Sequence, residues 1–233
     1  MQLPLTQREV ALEHTGGYVA PEFGDDMDAR EIETLFTRAD GQFLCARWSR
    51  AIVPVVFGVD DATLAIVKGA FEAIVTLAGH KMAETDPELG ANLMMFFLRD
   101  WDELLDVPNL DRLIDGLSPL VARLQAAEAN QYRVFRFDRE NAIRAAFVFV
   151  RMDDDLAQVP AETLALSQAV QVILLWSDTA FTDRPALARA QGATILRPDI
   201  SALIRAAYDP VLPPVADDPA HALRLAARIA SVH

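Results

Sequence analysis

The order of elements along this chain predicts an α+β fold, with strands mixed among helices and one helix buried. Three observations lead there. Strand candidates are few and do not alternate regularly with helices, which argues against a doubly wound parallel sheet. The stretch from Pro160 to about Trp176 is apolar nearly all round, so as a helix it belongs in the interior. The chain has 233 residues and is 52% hydrophobic, enough to bury a core without staples.

Residues 1–26 carry Pro4, Gly16-Gly17, Pro21 and Gly24-Asp25-Asp26. That is turn chemistry, and it predicts an extended N-terminal arm ahead of a single domain over 27–233. A helix is expected over 27–39, capped by Asp28, with Ile32, Leu35 and Phe36 on one face. Strands follow at 42–48 and 51–58. Pro54 cannot donate a ladder hydrogen bond, so the second belongs at an edge or a bulge. Asp60-Asp61 opens a helix through about Leu77, with Leu64, Val67, Phe71 and Ile74 at helical spacing and Gly79 as its stop. Asn92 to Leu98 reads as a buried strand. Short helices are expected near 100–106 and 109–127, then a hairpin of Tyr132 to Phe137 and Ile143 to Arg151 around the turn at Asp138–Asn141. The buried helix begins at Pro160, suited to a first turn, and ends before Ser177-Asp178-Thr179. A loop through Gly192, a helix from Asp199 to about Tyr208, a proline-rich linker and an amphipathic helix over 217–230 complete the chain.

Charge narrows the function classes. Acidic residues number 34 against 21 basic ones, a formal net charge of −13. That opposes nucleic-acid binding, which needs basic surface against phosphates, and docking on anionic membranes. No apolar run reaches the roughly 20 residues of a membrane span. The segment Met1 to Thr6 has no basic start and no continuous apolar region, unlike a secretory leader. The expectation is a cytoplasmic protein, the alternative an exported one whose leader has been removed. The single Cys45 excludes a disulfide framework and reads as a buried structural thiol.

No Gly-x-Gly-x-x-Gly, phosphate-binding loop, Gly-x-Ser-x-Gly or His-Glu-x-x-His occurs, which counts against those enzyme classes. His14 falls in the arm, His233 is the last residue, and His221 is expected on a solvated helix face. His80, just past Gly79, is a weak metal candidate, because zinc sites call for convergent ligands. The runs Asp25-Asp26-Asp28, Asp153-Asp154-Asp155 and Asp217-Asp218 could take a hard cation, but acids also favour helix starts on their own account. The most informative segment is Ser167-Gln168-Ala169-Val170-Gln171. Ser167 and Gln171 share a helix face with Gln168 beside them. This is the zinc-binding His-Glu-x-x-His frame with all three working positions replaced by groups that ligate zinc poorly and cannot serve as a base.

Four stretches, in order, resemble an uncharacterised bacterial domain family of unknown function grouped with zincin-like metallopeptidases. They are Arg47 to Gly58, Ala91-Asn92-Leu93, Leu166 to Asp178, and Leu196 to Pro210 with its Tyr208-Asp209-Pro210 close. The likeness spans about residues 42–230. It implies a zincin-like α+β fold with a central helix against a small twisted sheet. It places the family's Glu-Glu pair on Ser167 and Gln168, its Gln on Gln171, and its Asn-Asp pair on Ser177 and Asp178. Only Gln171 and Asp178 keep the family's residue. The implied protein is a degenerate, non-catalytic binding or scaffold module with no cofactor. Its candidate groove runs along Ser167, Gln168, Gln171 and Asp178, and it takes a protein or peptide partner. Two alternatives stand beside it. One is a metal-dependent hydrolase with an unorthodox site at His80. The other is a structural subunit docked through the 217–230 helix or the arm. The oligomeric state is left open.

Overall fold

A computed structural model describes residues 8–10 (backbone only), 27–190 and 192–231. The fold is α+β, built on a five-stranded mixed sheet. Its strands are β1 (Arg8–Val10), β3 (Pro54–Phe57), β4 (Leu93–Leu98), β5 (Gln131–Phe137) and β6 (Ile143–Arg151), in the order β1-β5-β6-β4-β3. β3, β4 and β6 run parallel, and β5 and β1 are antiparallel additions. The tight turn at 138–142 explains the antiparallel β5–β6 pair: Asp138 Oδ1 accepts from the amides of Glu140 and Ala142. Pro54 opens the edge strand β3, where a missing donor is tolerated.

Because side chains alternate along a strand, each sheet face has its own core. One face presents Leu93, Met95 and Phe97 of β4, Ala146, Val148 and Val150 of β6, and Phe135 of β5. Four helices contribute to this layer: α2 (Asp61–Leu77), α5 (Ala161–Ile173), α6 (Pro198–Ala207) and α7 (Ala220–Ala230). The helix α1 (Ala29–Phe36) joins them, held at its start by a capping box between Asp28 and Glu31. The other face presents Phe96, Leu98, Tyr132, Val134, Phe147 and Phe149. It is covered by a 3-10 turn at Trp101–Asp106, the short α3 (Leu110–Leu113) and α4 (Leu117–Ala126). α5 is the expected central helix, with Ala165, Gln168, Ala169, Val170, Val172 and Ile173 at 1% exposure or less.

Several boundaries differ from expectation. α5 stops at Ile173 because the next residues are taken by strand-like pairing: Leu174 bridges Arg47, and the Leu175 amide donates to Ala46 O. The 42–48 segment forms a regular strand only over β2 (Cys45–Ala46), paired with β9 (Val215–Ala216) of the proline-rich linker, while Phe43, Arg47 and Trp48 make single bridges to Thr37, Leu174 and Ile143. The expected loop before Asp199 contains a hairpin of β7 (Leu187–Ala190) and β8 (Ala193–Leu196), helped by Gly192 at φ +83°. Thr163 of α5 and Thr194 of β8 share a 2.8 Å hydrogen bond that ties the hairpin down. His221 is not solvated but 1% exposed. It lies on the apolar face of α7, which packs against α1 and α6. That face is therefore covered and is not free to dock a partner. Within the arm, Arg8–Val10 pairs with β5 as an edge strand, while His14, Asp25, Asp26 and His233 lie outside the described residues.

Candidate functional site

The polar row of α5 divides between two surroundings. Ser167 and Gln171, one turn apart, are half-buried, and Gln171 Nε2 donates to Ser167 Oγ at 2.9 Å. Gln168 points at the sheet and is fully buried. There it meets Gln131 and Arg133, the two residues of β5 that interrupt its apolar face. Gln168 Nε2 donates to Gln131 Oε1 at 2.9 Å. Arg133 Nη2 donates to Gln168 Oε1 at 2.6 Å and to Gln131 Oε1 at 2.9 Å. Gln168 therefore belongs to the core, where it solvates a buried cation. Asp178 lies beyond the helix, and its Oδ1 accepts from the Ala39 amide at 2.9 Å, fixing the turn after α1. The four residues of the expected groove thus serve three local structures.

Arg133 is 1% exposed, and among the described residues no carboxylate pairs with it; its Nε has no hydrogen-bond partner. Burial alone pulls its pKa down to about 9. A guanidinium held by two amide oxygens is an expensive core element.

Among the described residues, His80 has no ligand set around it. Its Nε2 donates to Arg50 O at 2.8 Å, and its ring lies 5.1 Å from that of Tyr208. Burial lowers its pKa; the Arg50 carbonyl bond opposes this, and Arg47 and Lys81 add to the lowering. Among the described residues, no group of three or more His, Cys, Asp or Glu side chains could hold a metal ion. Cys45 is buried, and its thiol is pushed up to about 12 by burial against a smaller opposing effect of Arg47. It is therefore no nucleophile.

The amino ends of β3, β4 and β6 carry a second polar assembly. Asn92, 1% exposed, accepts from the Val53 amide through Oδ1 and donates to Ala51 O and Asp86 Oδ2 through Nδ2. Asp86 also accepts from the Glu88 and Leu89 amides and from Arg50. Burial pushes its carboxyl pKa up, but these donors outweigh it and the net shift is downward. Arg144, at the start of β6, pairs with Glu88.

Around the carboxyl ends there is instead a cavity of about 370 Å³. Gly58 after β3, Phe97 at the end of β4, and Met152 and Val159 after β6 form its walls, with Val67 of α2 and Leu164 of α5. Gly58 sits at φ +81°, and a Cβ there would lie 1.9 Å from Phe97 O. In the sequence this glycine stands out only as the end of an apolar strand. An apolar strand ending in Gly and then a capping Asp was the available signal. No protein-family model, curated protein or solved structure matches the chain. No described helix is long and apolar enough to cross a membrane.

Proposed function

We propose that this chain is a non-catalytic binding or scaffold domain of zincin-like type whose partner is a protein or peptide. One observation carries the reading. The helix positions that the resemblance assigns to the catalytic frame hold Ser167, Gln168 and Gln171, and their side chains are occupied with one another and with Gln131 and Arg133. Neutral amides and a hydroxyl offer zinc little, and an amide cannot take a proton from water. The alternative hydrolase at His80 lacks a ligand set among the described residues.

The test is elemental analysis of untagged protein purified without chelators, followed by a zinc titration of its melting temperature. The expected result is no stoichiometric metal and no shift beyond about 1 °C, well below what one specific site gives. Zinc at 100 times a site's Kd would add about 2.7 kcal/mol. At about 2–4 °C per kcal/mol for a chain of this size, that is a rise of about 5–10 °C. Such a rise with one metal per chain would overturn the reading.

A further inference from the structure

The geometry points to the crevice at the carboxyl end of β4 as the partner site, taking a basic peptide segment that inserts one bulky aliphatic side chain; this rests on the binding-domain reading above. The argument begins with topology. β3 and β6 both lead into helices on the α2/α5 face, whereas β4, parallel to and between them, leads into the 3-10 turn on the opposite face. Neighbouring parallel strands whose connections leave on opposite sides part at their carboxyl ends, and ligands of open α/β sheets bind in that gap. The cavity lies in this gap, with Phe97 between the segment after β3 and the segment after β6.

The chemistry at the start of α2 disfavours an anionic occupant. The N-terminus of α2 opens beside it, but Asp60 Oδ1 already accepts the Thr63 amide there. That bond holds the Asp60 carboxyl below its ordinary range. The position where a phosphate would sit is filled by the chain's own carboxylate. The walls are apolar, from Val59, Val67, Met152, Val159 and Leu164. The volume of about 370 Å³ is at the small end for a ligand pocket.

Charge supplies the rest. The segment after β3 carries Asp60 and Asp61, and the segment after β6 carries Asp153, Asp154 and Asp155. Among the described residues only Asp153 of these five has an ion pair, with Arg151 at 3.6 Å. Asp60, Asp61, Asp154 and Asp155 are exposed. The slot has Asp60 in its wall on one side, and Asp153–Asp155 follow its wall residue Met152 in the chain on the other, a charge pattern that complements an apolar residue flanked on both sides by lysine or arginine. This two-sided pattern favours an extended chain crossing the gap over a compact organic cation.

The probe is a blocked five-residue peptide, leucine between two pairs of lysines, titrated into the full-length 15N-labelled protein at low salt. It is expected to move the amide signals of Gly58, Thr63, Ala157 and Ala161. Alanine in place of the leucine, or Ala157→Trp at the exposed mouth, weakens binding at least tenfold. Asp154→Lys with Asp155→Lys does the same at low salt. Equal binding of a glutamate-flanked leucine peptide, insensitivity to Ala157→Trp, or no shift at millimolar peptide overturns the proposal. Butylammonium binding as tightly as the peptide overturns the peptide assignment in favour of a small cation. Signals that move only elsewhere remove the crevice and leave the binding-domain reading standing. Peptide cleavage on adding zinc does the reverse.

Discussion

At the amino ends of β3, β4 and β6 the polar groups close on one another, whereas the carboxyl ends border an apolar cavity, and the segments that follow them carry exposed aspartates without ion pairs among the described residues. Asn92 and Asp86 bind the backbone of residues 51, 53, 88 and 89, with Arg50 and Arg144 pairing outside them. Around Phe97 the walls are apolar, and four of five nearby carboxylates have no ion pair among the described residues. A buried polar group that satisfies backbone fixes chain geometry, and its loss is felt as instability. An exposed, unpaired carboxylate contributes little to stability and stays available to a partner. The contrast separates the end that holds the fold from the end proposed here to bind.

The most direct way to break this contrast is Asn92→Ala. It strands the Val53 amide, the Ala51 carbonyl and part of the Asp86 shell in the interior. The expected cost is about 3 kcal/mol, because these buried polar groups are left unsatisfied together. Thermal unfolding should report a drop of about 6–12 °C. Ala157→Trp at the other end should move the midpoint by no more than about 2 °C, since exposed substitutions lie within about 0.5 kcal/mol. Equal drops at the two ends would dissolve the distinction.

A third polar group sharpens the comparison because it sits midway, under α5. Gln168→Leu leaves the Arg133 guanidinium with one amide oxygen, Gln131 Oε1, as its partner among the described bonds. Stranding a buried charge costs about 3 kcal/mol. Arg133→Met on the same background removes the charge itself and should recover most of that loss, because apolar replacement of a buried ionic group is often neutral or stabilising. Chemical denaturation of the two single variants and the double gives the coupling. If the losses simply add, Gln168 does not serve Arg133, and the inward half of the α5 row has some other purpose.

How much of this was legible beforehand follows from the range over which each feature acts. α2, β4 and the β5–β6 hairpin were readable because their signals are local: a capping Asp60, helical spacing from Leu64 to Ile74, and a polar turn at 138–141 between apolar runs. The unusual residues on α5 were readable too, as polar interruptions of an apolar helix. Their partners were not. Gln131 and Arg133 look like ordinary alternation on a half-exposed strand until α5 meets them through Gln168. His221 looked solvated for the same reason, since the packing of α1 and α6 against α7 is not written in the α7 segment. The crevice depends on which side of the sheet each connection takes, a property of three strands together.

The smallest effect expected is in acid, and it again distinguishes the two ends. His80 near the amino end and His221 on α7 both have pKa values lowered from 6.5, chiefly by burial. Between each lowered value and about 6.5 the unfolded chain binds the proton and the folded chain does not, so stability falls as pH drops through that window. Asp86 has the carboxylate form of the same linkage. Its folded pKa lies below the ordinary value, so its contribution is present above about 3.9 and is lost only as pH falls toward the folded value. The melting midpoint should therefore decline gently as pH drops below about 6.5 and more steeply below about pH 4. His221→Leu removes part of the first decline, and it leaves no buried ring nitrogen unpartnered, as Nδ1 now is. Asp154→Lys with Asp155→Lys alters two exposed side chains that make no ion pair among the described residues. It should leave the curve in place within about 0.5 kcal/mol while weakening binding of the lysine peptide at least tenfold at low salt. Melting curves from pH 4 to 8 that change shape for the lysine variant would show that the carboxylates at the carboxyl ends also hold the fold, and would dissolve the contrast between the two ends.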